Sequence, residues 1–179
     1  MAQASSPVLR WNRDGHLAIA KFPHLDDEIN TVRWEAVALS LAKQAAIEVP
    51  QWRLETVAGK ACLILLRFDR EDQHRIPFLS AMSMLGARDN ERHSYLELVD
   101  TLRQYGAMPQ QDLAQLWRRM VFNVLISNTD DHLRNHGFLF SDPGVWRLSK
   151  NVHPCTSLLL FRVFEYGKGL ENGITDKSF

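Results

Sequence analysis

Hydrophobic and polar positions divide this chain into two differently patterned halves. In "HLAIAKF" (His16–Phe22) apolar residues alternate with others directly after an "RDG" turn signal, which predicts a strand. In "VRWEAVALSLAKQAAI" the period changes. Trp34, Val37, Leu41 and Ala45 recur at steps of three and four, which predicts a helix with those residues on its inner face, closed by Pro50. "WRLETV" and "KACLILLRF" then predict a hairpin turning at Ala58-Gly59. Its second strand, nearly all apolar from Cys62 to Leu66, is expected to be covered on both faces. The first 70 or so residues therefore predict the order β–α–β–β.

After "DREDQHRIP" the pattern turns helical. "SYLELVDTLRQYG" opens on Ser94 with Glu97 three residues later, a capping box, and stops at Gly106. A second helix begins near Gln110. Leu113, Leu116, Trp117, Met120, Val121, Val124 and Leu125 form its expected buried stripe. "GFLF" and "VWRL" around "SDPG" predict a short β-hairpin.

Composition narrows the possible partners. The chain has 179 residues, 45% hydrophobic and 23% charged, the size and make-up of one globular domain. With 21 basic and 21 acidic residues, the bulk charge gives no reason to expect direct contact with nucleic acid or an anionic membrane. No apolar run approaches the roughly 20 residues that span a bilayer, and "MAQASSPVLRWNRDG" has no apolar signal-peptide core. Two cysteines, Cys62 and Cys155, are too few for a disulfide framework and sit among apolar neighbours. These features point to a cytoplasmic protein with buried thiols.

The densest chemistry lies between the second helix and the last hairpin, in "FNVLISNTDDHLRNHGFLF". Asp130 and Asn135 have the spacing of the D-x-x-x-x-N catalytic loop of protein kinases. There the Asp takes the proton of the attacking hydroxyl and the amide oxygen holds Mg²⁺. Arg134 lies where a cation balances phosphate charge, and His132 is placed to contact nucleotide or loop backbone. Two other readings stand beside this one. The Asp and Asn side chains cap loop amides, or His132 and His136 share Zn²⁺ with Asp130 or Asp131. Asp131 and His136 otherwise read as loop structure.

The order of elements is also that of a kinase, with a strand-rich lobe, helices, a loop and a ribbon. Lys21 ends a strand, as a phosphate-reaching lysine does, and Glu35 on the next helix is the candidate to hold it. "LLRFDR" (Leu65–Arg70) has the position of a hinge, with Leu66 and Phe68 as candidate adenine contacts and Asp69–Arg70 as a possible ion pair.

"AKFP", "RFDR", "IPFLSAMSMLGA", "FNVLISNTDDHLRNHGFL" and "WRLS" together resemble the HipA-type serine/threonine kinases, toxins of bacterial type II toxin–antitoxin pairs, over residues 14 to 149. The resemblance implies an α+β, protein-kinase-like two-lobed fold using ATP and Mg²⁺. It implies a protein substrate of the translation machinery and a helix-turn-helix antitoxin, with DNA reached only through that antitoxin. By motif, Lys21 is similar to the phosphate-binding lysine, Asp130 to the catalytic aspartate, Asn135 to the metal-binding asparagine, and Leu66, Arg67 and Phe68 to the adenine hinge.

Three departures qualify the expectation. "MAQASSPVLRW" only loosely resembles the family's phosphate loop, and no glycine precedes Gly15. After "WRLS" the family continues P-A-[YF]-D-x-N-P, whose Asp binds Mg²⁺; here "KNVHPCT" puts Asn151 at that position. Losing that charge costs roughly 10²–10³ in rate. The tail "LLLFRVFEYGKGLENGITDKSF" resembles no helical subdomain. The expected organisation is a small lobe over 1–70, a helical lobe over 71–149 and a divergent tail over 150–179, as in a truncated kinase. The alternative is a pseudokinase-like module that binds nucleotide or antitoxin without transfer.

Overall fold

The computed structural model describes residues 8–10, 16–24, 30–71, 74–88, 91–128 and 130–151. The phosphate-loop region around residues 1–7 and 11–15, and the tail from 152 with Cys155, lie outside them. In chain order the elements are β1 (Val8–Arg10), β2 (Leu17–Lys21), α1 (Thr31–Gln44), β3 (Trp52–Val57), β4 (Lys60–Leu66), β5 (Arg70–Glu71), β6 (His74–Arg75) and β7 (Phe78–Ser80). Then follow α2 (Ala81–Leu85), α3 (Tyr95–Tyr105), α4 (Pro109–Leu125), a 3-10 turn (Leu133–Asn135), β8 (Gly137–Asp142) and β9 (Val145–Leu148). The chain is thus mixed α/β.

The N-terminal strands form an antiparallel sheet in the order β1-β2-β4-β3. Its centre is β4, whose apolar run is buried on both faces as expected. Ala61, Leu63 and Leu65 pack on Val32, Ala36 and Leu39 of α1, while Cys62 and Ile64 join Ala18 and Ala20. Burial raises the Cys62 thiol pKa, with Glu55 adding to the effect. The β3–β4 turn places both Ala58 and Gly59 at positive φ, 49° and 77°, as a two-residue hairpin of primed type requires.

The helix exists where the period predicts it, but its inner face is different. Val37 and Leu41 are 42% and 40% exposed, and Ala45 is exposed too. The buried side is Val32, Ala36, Ala38, Leu39 and Ala42. Small alanines let the helix lie close on the sheet and, through Ala42, against Phe122 of α4 and Ile126 that caps it. Close backbone approach outweighed the larger side chains that defined the sequence stripe.

The second core cluster, Ala81, Leu98, Leu102, Leu116, Phe138 and Leu148, joins α2, α3 and α4 to the last hairpin. That hairpin is part of a three-stranded sheet, β7-β8-β9, rather than a two-stranded ribbon. The α3 capping box is present, with Glu97 accepting from the Ser94 N–H at 3.0 Å. Gly106 ends α3 in an extended conformation, φ −76° and ψ 136°, not a left-handed one. Glycine is needed for closeness, because a Cβ there would lie 2.3 Å from the Leu102 carbonyl oxygen.

α1 and α4 end alike, with a non-glycine residue in the left-handed region, Ala46 at φ 55° and Ser127 at φ 55°. Each carries the paired bonds of a Schellman turn: Ile47 N–H to Ala42 O at 3.0 Å, and Asn128 N–H to Asn123 O at 2.8 Å. Ala46→Gly should therefore stabilise the chain by about 1 kcal/mol, and Gly106→Ala should destabilise it by about 2 kcal/mol or more through backbone displacement. Chemical denaturation of the two variants measures both signs.

Candidate active site

The site is built from α4, whose inward edge is partly charged. Asp112, Leu116, Arg119, Phe122 and Asn123 are its buried residues. Trp117, Val124 and Leu125, expected inside, are 62%, 73% and 77% exposed. The apolar period misleads here because three inward polar residues each have a fixed partner.

Asp112 receives Arg147 of β9 in a two-pronged pair, Nε to Oδ2 at 2.9 Å and Nη2 to Oδ1 at 3.0 Å. It also accepts the Leu148 N–H at 3.2 Å. The bond to Asp112 raises the Arg147 pKa. Two turns further on, Arg119 donates to the Ser149 carbonyl. Burial pushes its pKa down to about 10, against Glu48, Asp112 and Asp131, so it stays charged at neutral pH.

The third inward residue, Asn123, holds the polar loop. Its Nδ2 donates to Asp131 Oδ2 at 2.8 Å, and its Oδ1 accepts from Asn128 Nδ2 at 3.3 Å. The same carboxylate oxygen accepts the Tyr95 hydroxyl and faces His136 Nε2 at 3.1 Å. Burial alone would raise the Asp131 carboxyl, but the bonds from His136, Tyr95 and Asn123 outweigh it and hold its pKa low. Burial, then Asp131, pushes the Tyr95 phenol up.

Beside this partly buried anchor the loop presents Asp130, which is exposed. Asn128 Oδ1 accepts the Asp130 N–H at 3.1 Å, and Asn135 Nδ2 donates to the Asp130 carbonyl at 2.8 Å. The Asn135 amide thus clips the loop closed through its nitrogen and leaves Oδ1 as a neutral oxygen donor. The segment between is a 3-10 turn flanked by extended residues. His132 is exposed while His136 is buried on Asp131, so the two do not share a face as a zinc pair would. Among the described residues no three His, Cys, Asp or Glu side chains gather as a metal cluster.

Lys21 and Glu35, fourteen residues apart, form an ion pair between the end of β2 and α1. Glu35 lies past the first turn of α1, so it is not a helix-dipole acid. At the hinge position, the Leu66 and Arg67 N–H groups bond the Gln51 and Leu17 carbonyls at 2.8 and 3.0 Å. A backbone donor to a base edge must then come from Phe68 or beyond. The Arg67 side chain binds Asp69, Nε to Oδ1 at 2.7 Å, so the local ion pair is Arg67–Asp69 and not Asp69–Arg70. Phe68 meets Phe78 edge-on with centroids 5.8 Å apart. Asn151 is 5% exposed, its N–H bonded to Glu48 O at 2.9 Å. His132 and Arg134 line a cavity to which no described residue of β1–β4 or α1 contributes.

Tyr95, Asn123 and Arg119 are absent from the sequence-based site. Asn123 had a legible signal: with Asp112, Leu116 and Arg119 it marks a second stripe at steps of four, three and four. Tyr95 had none.

A family model described as the HipA-like C-terminal domain matches residues 3–151. A protein of Sinorhizobium fredii named "Putative kinase Y4mE" is 26% identical over 137 residues, 70% of this chain and 31% of its own. A Haemophilus influenzae protein named "Putative kinase" is 27% identical over 136 residues, 67% of this chain and 37% of its own. The chain therefore spans about a third of these curated relatives. In fold it is similar to HipA in the Shewanella oneidensis complex with HipB and operator DNA, TM-score 0.70 at 18% identity over 86% of this chain and 43% of that one. It is also similar to the Helicobacter pylori proinflammatory kinase CtkA, TM-score 0.67 at 19% identity over 96% and 64%.

A carboxylate whose folded pKa is depressed adds stability above its unfolded value and loses it as pH falls through the folded one. For Asp131 that window lies below about pH 4. Asp131→Asn should cost about 2–4 kcal/mol at pH 7 and flatten the acid limb of Tm against pH. An unchanged acid limb would exclude Asp131 as the anchor.

Proposed function

This chain belongs to the HipA-like C-terminal domain family, and from that premise we propose that it is the core of an ATP- and Mg²⁺-dependent serine/threonine protein kinase of the HipA toxin type. The reading divides it into two lobes, residues 1–70 for the nucleotide and 71–149 for the catalytic loop and hairpin, with a divergent tail from 150. The observation that carries the reading is the Lys21–Glu35 ion pair. A strand lysine held by a helix glutamate is a fixed cation, and such a cation is what binding a nucleotide phosphate requires.

ATP with Mg²⁺ supplies a transferable phosphoryl group and a cation that offsets its charge. The chain's own residues do the rest. Lys21, kept in place by Glu35, binds phosphate oxygens. Asp130 orients the acceptor hydroxyl and takes up its proton; its exposed carboxylate stands on a loop fixed from below by Asp131. Asn135 offers Oδ1 to the metal while its Nδ2 holds the Asp130 carbonyl. Asn151 is the second amide in the metal-binding set, while His132 and Arg134 of the same loop face the cavity on its helical side. Leu66, Arg67 and Phe68 bound the adenine side.

The same resemblance proposes a cytoplasmic enzyme acting on a protein of the translation machinery. Its partner would be a helix-turn-helix antitoxin that alone touches DNA, consistent with a fold neighbour being HipA with HipB and operator DNA. Among the described residues no helix is long and apolar enough to cross a membrane. A second reading, a module that binds nucleotide or antitoxin without transfer, is supported by the neutral Asn151, which is buried and which the resemblance puts at the position of the family's Asp.

Saturating ATP and Mg²⁺ should raise Tm by roughly 5–10 °C, from a linkage of about 2.7 kcal/mol at a hundred Kd. Lys21→Met should remove most of that rise. In a labelled-ATP transfer assay, Asp130→Ala should reduce transfer at least about 10³-fold with the ATP-dependent rise kept. Asn151→Asp should increase it by roughly 10²–10³ if the missing charge limits the rate. Transfer insensitive to Asp130→Ala would overturn the assignment of Asp130, and no ATP-dependent rise would overturn the nucleotide site.

A further inference from the structure

A cavity of about 550 Å³ lies on the helical side of the candidate catalytic loop, away from Lys21. Its walls are α2, the connector before α3, the first turns of α3, and the loop from Asp131 to His136. Three guanidiniums, Arg88, Arg92 and Arg134, line it against two carboxylates, Glu91 and Asp131. Both carboxylates already have partners. Asp131 is held by Tyr95, Asn123 and His136, while Glu91 Oε2 accepts the Arg88 N–H at 2.7 Å and lies 3.4 Å from His93 Nε2. For the side chains of Arg88 and Arg92 no ion pair forms among the described residues.

One wall residue points independently to a ligand. His136 is 5% exposed and bonds Asp131 through Nε2, yet its Nδ1 is buried with no partner. A buried ring nitrogen without a partner is costly unless something else satisfies it.

We propose that this cavity binds an acidic side chain, carboxylate or phosphoryl, on the protein segment presented to the loop for phosphorylation. The proposal rests on the kinase reading and gives it a substrate class: serine or threonine within an acidic or already phosphorylated segment. A nucleotide phosphate is a poorer occupant, since neither Lys21 nor Glu35 reaches this cavity. Guanidiniums suit both anions because their planar donors engage two oxygens together.

Fluorescence anisotropy on the full chain with three labelled peptides tests it: a serine flanked by glutamates, the same peptide with a phosphoserine beside the acceptor, and the same with lysines as flanks. The first two should bind, more weakly as salt rises, and the lysine peptide should not. Arg88→Glu/Arg92→Glu should weaken binding at least tenfold with Tm and the ATP-dependent rise unchanged, and Arg88→Lys/Arg92→Lys should keep most of it. Equal binding of the lysine peptide, indifference to the charge-reversed pair, or binding of inorganic phosphate alone would overturn the proposal. Arginine-dependent peptide binding without any ATP-dependent rise would remove the kinase reading and leave the acidic-segment site standing.

Discussion

One partly buried carboxylate, Asp131, ties the loop to the rest of the molecule. Burial makes an ionised group costly, and only good partners offset that cost. Its partners come from three places: Tyr95 opens α3, Asn123 lies near the end of α4, and His136 leads into β8. These bonds form only while all three elements stand in one arrangement; together they hold the carboxyl pKa low, and Asp130 beside it is exposed. Adjacent residues thus have opposite duties. One charge is locked inside to give shape, and its neighbour is left outside for chemistry.

The same logic runs along α4. Asp112 grips β9 through Arg147, Arg119 grips the chain leaving β9 at Ser149, and Asn123 grips the loop. Gln115 reaches the other way, donating to Ala46 O at 3.1 Å and accepting the Glu48 N–H at 3.0 Å at the end of α1. Glu48 in turn accepts the Asn151 N–H. Directional bonds of this kind fix register where apolar contact alone tolerates sliding. The exposed Trp117, Val124 and Leu125 are what remains of the helix when its inward edge is given to polar residues.

Much of this was legible in the residues, and what was not has physical causes. The two-residue turn at Ala58-Gly59, the capping box of Ser94 and Glu97, and the pairing of Lys21 with Glu35 follow from local chemistry or a known spacing. The faces of α1 and α4 were not legible. Periodicity weighs side-chain size, whereas α1 packs by its alanines and α4 by buried charges whose partners lie 30 or more residues away. The two-residue strands β5 and β6, with β7 and α2 in "FLSAMSML", are too short to show a period and exist through tertiary pairing. The Asp131–His136 contact brings together residues of one loop, but its third member, Tyr95, lies 36 residues upstream, beyond any local signal.

The central claim is that neighbouring aspartates divide structure from chemistry, and a paired comparison of Asp130→Asn and Asp131→Asn tests it most directly, with Tm and phosphotransfer measured on each. The account predicts that Asp130→Asn leaves Tm unchanged and abolishes transfer. Asp131→Asn should lower Tm by several degrees and retain transfer in proportion to the folded fraction. The reverse pattern, with stability lost at Asp130 and transfer alone lost at Asp131, would contradict it.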